Sequence, residues 1–279
     1  MAVEAEQSPA ERTAAPQRVL VVLPTYNEVD NIADILEGVR LTVPTADLLV
    51  VDDGSPDGTA DRVRWVAQRL DGMYLLERAR KNGLGGAYRA GFAWGLDHGY
   101  DVLVEMDADG SHRPEDLPRL LAAIEDGGDL VVGSRYVEGG EIPNWKLSRR
   151  MLSKGGNQYA SVMLGLGVRD ATGGYRAYRA SLLRRIDFAG LGADGYGFQI
   201  EGTLRSVRAG ARVVEVPIRF EDRAAGESKM SKAIVFEALR LVTQWGVSER
   251  ASKVASRVAH PLHRPNWAHA GLAGGKRSH

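Results

Sequence analysis

Five short apolar runs, each of strand length and each closed by polar or acidic residues, constrain this chain more than any other feature. They are VLVVLP after Arg18, LLVV between Asp47 and Asp52, the run from Met73 to Leu76, VLVE after Asp101 and LVVGSR after Asp129. Uninterrupted aliphatic runs of this length suit strands covered on both faces, as in a parallel sheet. Between them lie segments with helical spacing: Ile32, Ile35, Leu36 and Val39; then Val63, Val66 and Leu70; then a stretch from the glycine-rich loop 82–86 to about Asp97. Strand and helix alternate with short links over residues 18–135. That alternation predicts an α/β, doubly wound, mostly parallel sheet flanked by helices. Right-handed crossovers place the C-terminal ends of parallel strands along one edge, where ligands bind.

Asn27 and Glu28, Asp52 and Asp53, Asp107 and Asp109, and Arg135 all fall at such ends. Polar groups gathered at the ends of several buried strands predict a site rather than solvated surface. Its centre is the stretch from Glu105 to His112. It follows Val102-Leu103-Val104 and precedes a helix start with Pro114 in its first turn. In an extended segment Asp107 and Asp109 project to the same side. Two such carboxylates repel unless a cation lies between them, and Mg²⁺ or Mn²⁺ suits oxygen ligands together with substrate phosphates. The alternative is a turn with helix-capping acids. The loop KNGLGGAYRAG departs from a dinucleotide fingerprint: Tyr88 takes the third glycine position and the loop follows the third strand, which excludes an NAD site. Either close approach to a phosphate or base, with Lys81 nearby, or tight helix–strand packing explains its glycines.

Lys+Arg and Asp+Glu balance at 36 each, so no global field argues for nucleic acid. Without cysteine there are no disulfides, zinc–thiolate sites or cysteine nucleophiles, which suits a cytosolic setting. Residues 1–17 are acidic and rich in Ala and Pro, with no apolar centre; they predict a disordered lead-in, not a signal peptide. Residues 250–279 predict a disordered tail, whose histidines (His260, His263, His269, His279) show no metal-site spacing. No window carries the roughly 18 apolar residues of a spanning helix. From Trp145 to Leu166 a basic front (Lys146, Arg149, Arg150, Lys154) precedes an apolar rear, as in a helix resting on anionic lipid or in an ordinary core helix with a solvated basic turn. A strand follows from Arg212 to Ile218, placed at an edge by Pro217. Residues 221–232 predict a basic lid loop and 234–247 an amphipathic helix.

The series LPTYNE, VVDDGSPDGTA, KNGLGGAYRAG, MDADGSHRPE, VVGSRY, DATGGYRAY, YGFQIE and SKMS resembles the family-2 glycosyltransferases, and within them the dolichol- or polyprenol-phosphate mannose synthases. The resemblance covers about residues 18–235. It implies a GT-A fold over residues 18–249, a single domain with peripheral C-terminal helices. It also implies transfer of mannose from GDP-mannose to a polyprenyl phosphate with inversion; a UDP-glucose donor is the alternative. By the same resemblance Pro24, Tyr26, Asn27, Glu28, Asp52, Asp53, Lys81, Gly85, Asp107, Ala108 and Asp109 bind the nucleotide sugar. Asp52 would contact the base or ribose. Asp107 and Asp109 hold the metal, Mg²⁺ or Mn²⁺. Ser111 stands where many relatives have a glutamine ligand, which leaves its ligation open. Arg135, Arg149, Arg223 and Lys229 surround the phosphates, with Asp107, Asp109 and Arg135 catalytic. The implied partners are the cytoplasmic membrane surface, reached peripherally by the 145–166 helix and the Lys229/Lys232 loop, and a separate membrane-anchoring protein.

Overall fold

The computed structural model describes residues 17–80, 83–193, 195–221 and 236–248. The elements follow in the order β1 (Val19–Thr25), α1 (Ile32–Thr42), β2 (Asp47–Asp52), α2 (Thr59–Ala67), β3 (Met73–Glu77), α3 (Gly83–Asp97), β4 (Val102–Glu105), α4 (Leu117–Glu125), β5 (Leu130–Ser134) and α5 (Leu147–Leu164). Then come β6 (Arg176–Arg179), α6 (Ala180–Arg185), α7 (Gly195–Arg208) and β7 (Val213–Pro217), with α8 at 236–248. One seven-stranded sheet runs β3-β2-β1-β4-β6-β5-β7. Only β6 is antiparallel, to β4 and to β5. The chain is therefore α/β with a mostly parallel sheet, and β7, carrying Pro217, lies at an edge.

Successive strand residues serve opposite faces. Val21, Leu23, Leu48, Val50 and Val104 pack with α1, α2 and α4 in one core. Leu20, Val22, Leu49, Val51 and Leu103 pack with α3 and α6 in the other. A third cluster joins α5, α7 and α8 through Ala160, Leu164, Ile200, Leu204 and Val242. The strand order turns back between β1 and β4, so a crevice opens past their C-terminal ends. The fold thus places Pro24–Glu28 and Met106–Asp109 side by side.

The glycine-rich segment is not a loop where it is described: α3 already begins at Gly83, whose φ is +74°. Two further glycines in α3 explain the composition. A Cβ at Gly91 would lie 2.4 Å from Val22 Cγ1 and 3.1 Å from Val51 Cγ2. At Gly95 it would lie 2.6 Å from Leu103 Cδ2 and 2.7 Å from Leu20 Cδ2. The helix lies so close to the sheet that only hydrogen fits. Gly91→Ala is expected to destabilise the fold by about 1–3 kcal/mol through overpacking against stiff valines, read as a lower urea midpoint at unchanged slope.

Candidate active site

Pro24 near the end of β1, Tyr26 and Glu28 after it, Asp53 after β2, Gly83 and Leu84 opening α3, and Asp107, Ala108 and Asp109 after β4 line one cleft that is open to solvent. Every strand and helix that contributes does so by its site-facing end. Asp107 is fixed from two directions. Its Oδ1 accepts the Tyr88 hydroxyl at 2.9 Å, and its backbone N–H donates to His112 Nδ1 at 2.9 Å. Burial, then the charge of Asp107, holds the Tyr88 phenol well above its ordinary pKa, so it stays a donor. Burial depresses the His112 pKa, which favours the neutral ring whose Nδ1 can accept that N–H. Tyr175 stacks on the imidazole at 4.9 Å.

Asp109 is almost completely buried and accepts the Ser111 N–H at 3.0 Å. The Ser111 Oγ is buried with no hydrogen-bond partner among the described residues. Gly174 packs close behind these groups: a Cβ there would stand 3.5 Å from His112 Cε1 and 3.7 Å from Asp107 Oδ2. No cluster of three or more His, Cys, Asp or Glu side chains among the described residues makes a closed metal cage. Two carboxylates and an orphaned hydroxyl fit a hard cation that completes its shell with substrate phosphates. Asp107 and Asp109 would hold it, with Ser111 beside them.

The two acids after β2 divide their duties. Asp52 is buried and accepts Thr25 Oγ1 at 2.8 Å, Ser55 N–H at 2.9 Å and Ser55 Oγ at 2.6 Å. Those bonds tie the ends of β1 and β2 together. Asp53 lines the cleft and pairs with Arg78 at 2.8 Å. Asn27 is exposed at φ +60°, its N–H bonded to Ser55 Oγ at 3.0 Å; asparagine tolerates this left-handed backbone. Gly85 is buried in the first turn of α3, beside Gly83 and Leu84, which do line the cleft. Lys81, Arg223, Lys229 and Lys232, and so the lid loop they define, lie outside the described residues.

Arg135 follows β5 and is nearly fully buried. Its Nε and Nη2 form a fork onto Asp170, each at 2.7 Å; its backbone N–H adds a third bond at 3.0 Å, and Nη2 also reaches Thr172 Oγ1 at 2.9 Å. Burial opposes its charge, but Asp170 outweighs burial and raises the guanidinium pKa further. Burial opposes ionisation of Asp170 in turn, and Arg135 outweighs it, leaving the carboxyl below its ordinary pKa. Asn157 in α5 locks onto the same cluster: its Nδ2 donates to Thr172 Oγ1 at 3.1 Å and its Oδ1 accepts the Thr172 N–H at 3.0 Å. The Arg149 guanidinium lies 3.9 Å from the Trp145 ring centroid. The two halves of the site meet at Phe220, whose ring lies 5.7 Å from His112 and 5.3 Å from the Arg135 guanidinium.

Sequence reasoning did not assign Tyr88, Arg78, Asp170, Thr172 or Asn157. Asp170 and Thr172 stand in the DATGGY segment, and Tyr88 in the glycine series, so the signal was their place inside motifs. Behind Asp107, Glu105 is fully buried across from Arg176 in the β4–β6 pairing. Burial pushes its carboxyl up to about 8 against the opposing pull of Arg176.

A switch-point cleft headed by an Asp-x-Asp at the edge of a mostly parallel sheet fits a GT-A type glycosyltransferase. The family model for glycosyl transferase family 2 matches residues 20–187. The chain belongs to that family. It is 54% identical over 241 residues to an undecaprenyl-phosphate mannosyltransferase of Micrococcus luteus, covering 86% of this chain and 99% of the relative. It is 48% identical over 254 residues to a polyprenol monophosphomannose synthase of Mycolicibacterium smegmatis, covering 90% and 96%. Among solved structures it superposes on glucosyl-3-phosphoglycerate synthase of Mycobacterium tuberculosis, in complex with Mn²⁺, UDP and phosphoglyceric acid, with a TM-score of 0.59 at 20% identity over 81% of this chain and 76% of that one.

Proposed function

We propose that this chain transfers a mannosyl group from GDP-mannose to a polyprenyl monophosphate, inverting the sugar carbon. Identity of 54% and 48% to two named mannosyl transferases of polyprenyl phosphates over nearly their whole length supports the substrates. The structural observation that carries it is that Phe220 lies against both His112, which accepts the Asp107 N–H, and the Arg135 guanidinium, so the Asp-x-Asp cleft and a buried cation are one ring and one imidazole apart. Asp107 and Asp109 serve the donor diphosphate through the divalent ion, Mg²⁺ or Mn²⁺, which when bound offsets the charge growing on the leaving group. Tyr88 and His112 hold Asp107 in place for that duty. Arg135 and Arg149 hold the acceptor phosphate; because Asp170 and Thr172 take the Nε and Nη2 of Arg135, that residue serves through Nη1 and its fixed charge. Arg223 and Lys229 would add cations around the same phosphates.

A phosphate monoester has its second pKa near about 6 and is already anionic at neutral pH. It attacks without an enzyme base, and the carbohydrate carbon passes through an oxocarbenium-like state. The rate is therefore expected to rise with ionisation of the acceptor itself. Replacing the acceptor by a phosphonate analogue of higher pKa should move the rise upward by the same interval. A pH–rate limb that stays put and disappears in a single carboxylate variant would overturn base-free transfer. The decisive assay is a labelled mannolipid made from GDP-mannose and polyprenyl phosphate. Inhibition by UDP and not by GDP would sink the donor assignment.

No helix among the described residues is long and apolar enough to cross a membrane. The lipid substrate still has to be met at its surface. In α5, Ala160 and Leu164 pack inward on α7 and α8, so the apolar rear mostly faces protein. Val162 is turned out at the rear, but three exposed apolar side chains gather at the front: Leu147 is 72%, Met151 66% and Leu152 55% exposed, next to exposed Lys146, Arg150 and Lys154. We propose that this front rests on the cytoplasmic face of the membrane. Each basic residue near an anionic surface contributes about 1 kcal/mol. Neutralising Lys146, Arg149, Arg150 and Lys154 together should abolish flotation with anionic liposomes; undiminished flotation would exclude this face.

A further inference from the structure

The Arg135 guanidinium sits among three rings: Tyr136 at 5.5 Å, Trp145 at 5.6 Å and Phe220 at 5.3 Å. Trp145 is the ring that also carries Arg149, at 3.9 Å. It precedes α5 and brings the two cations onto one indole, whose electron-rich faces attract guanidinium groups. Its Nε1–H is buried and has no hydrogen-bond partner among the described residues. An indole N–H can only donate, and a buried donor left without an acceptor is costly and uncommon. The carboxylate paired with Arg135, Asp170, is already occupied by the Nε, Nη2 and backbone N–H of that arginine. Phenylalanine at this place would serve both cations without the orphaned donor.

We propose that the Trp145 Nε1–H is a direct ligand of a substrate phosphate oxyanion, completing a three-donor grip with Arg135 and Arg149. The oxyanion belongs to the lipid monophosphate, an assignment that rests on the reading of the two arginines given above. The donor diphosphate offers the same chemistry, and the Michaelis constants of the two substrates tell them apart. The indole does two jobs here: its face holds the cations and its edge binds the anion they attract.

Trp145→Phe keeps an aromatic ring and deletes the N–H. A lost hydrogen bond to a charged group predicts a rise of about tenfold in KM for polyprenyl phosphate, with the KM for GDP-mannose and the thermal midpoint unchanged. Trp145→Ala, which removes the ring as well, should raise the acceptor KM further. An acceptor KM equal to wild type in Trp145→Phe overturns the assignment, as does a rise confined to the GDP-mannose KM. Arg149→Gln separates this inference from the reading beneath it. If that variant leaves the acceptor KM unchanged, the arginine reading itself falls. If it raises the acceptor KM and Trp145→Phe does not, only the indole assignment falls.

Discussion

Asp109→Ala is expected to reduce mannolipid formation by on the order of a thousandfold or more while leaving the fold intact. The physical reason lies in the surroundings of the two acids. Asp107 is held by Tyr88 and His112, so its geometry survives the loss of its neighbour. Asp109 is nearly buried and accepts the Ser111 N–H, two residues away. Removing it costs the interactions it makes but also relieves repulsion between two carboxylates, and the two effects oppose each other, so the fold should hold. The leaving diphosphate, by contrast, loses a ligand of the cation that neutralises it. The measurement is labelled product per unit time at saturating GDP-mannose, beside a thermal melt. More than a tenth of wild-type turnover in a normally folded Asp109→Ala would show that the Asp-x-Asp does not serve the departing group.

The sheet was legible because buried parallel strands write themselves as aliphatic runs, and β1, β2, β4 and β5 fall on those runs. The site was legible for a related reason: the polar residues that end them must gather at one edge. What did not show was how each polar group is used. Asp52 and Asp53 are adjacent and chemically identical, yet one accepts bonds from Thr25 and Ser55 while the other lines the cleft. That division depends on loop contacts between β1 and β2, 27 residues apart. The place of β6 was hidden as well. Its Arg176 is fully buried in the middle of the sheet, which no hydropathy pattern suggests. The carbonyls of Ala171, Gly173 and Gln199 and the Thr203 hydroxyl accept from it, and those partners are assembled only by the tertiary fold. The glycines before and within α3 carried too many meanings to read: Gly83 lines the cleft, while Gly91 and Gly95 let the helix touch the sheet.

Asp170→Asn is expected to cost about 3–5 kcal/mol of stability, the penalty for leaving a buried guanidinium without its counter-charge. Asp170 is fully buried and takes three hydrogen bonds from Arg135, two of them from the side-chain fork. An asparagine keeps the shape but offers one oxygen where two are used, and turns an amide N–H₂ toward a cation. The pH dependence has a fixed sign. The Asp170 pKa is depressed in the fold, so its contribution is fully present above the ordinary carboxylate range and is lost as pH falls through its folded value. Wild type should therefore lose stability in acid, and that part of the loss should be missing in Asp170→Asn. The paired replacement Arg135→Met with Asp170→Leu separates stability from function. A buried ion pair replaced by apolar groups of similar volume is often neutral, so the double variant should recover most of what Asp170→Asn loses and show a coupling energy of about 3 kcal/mol in the cycle. Its transferase activity should stay far below wild type, because the Arg135 guanidinium is gone and Trp145 keeps only Arg149 to hold the acceptor phosphate. Recovery of both stability and turnover would mean that Arg135 and Asp170 serve the fold alone, and that the acceptor is held by Arg149 and its neighbours without them.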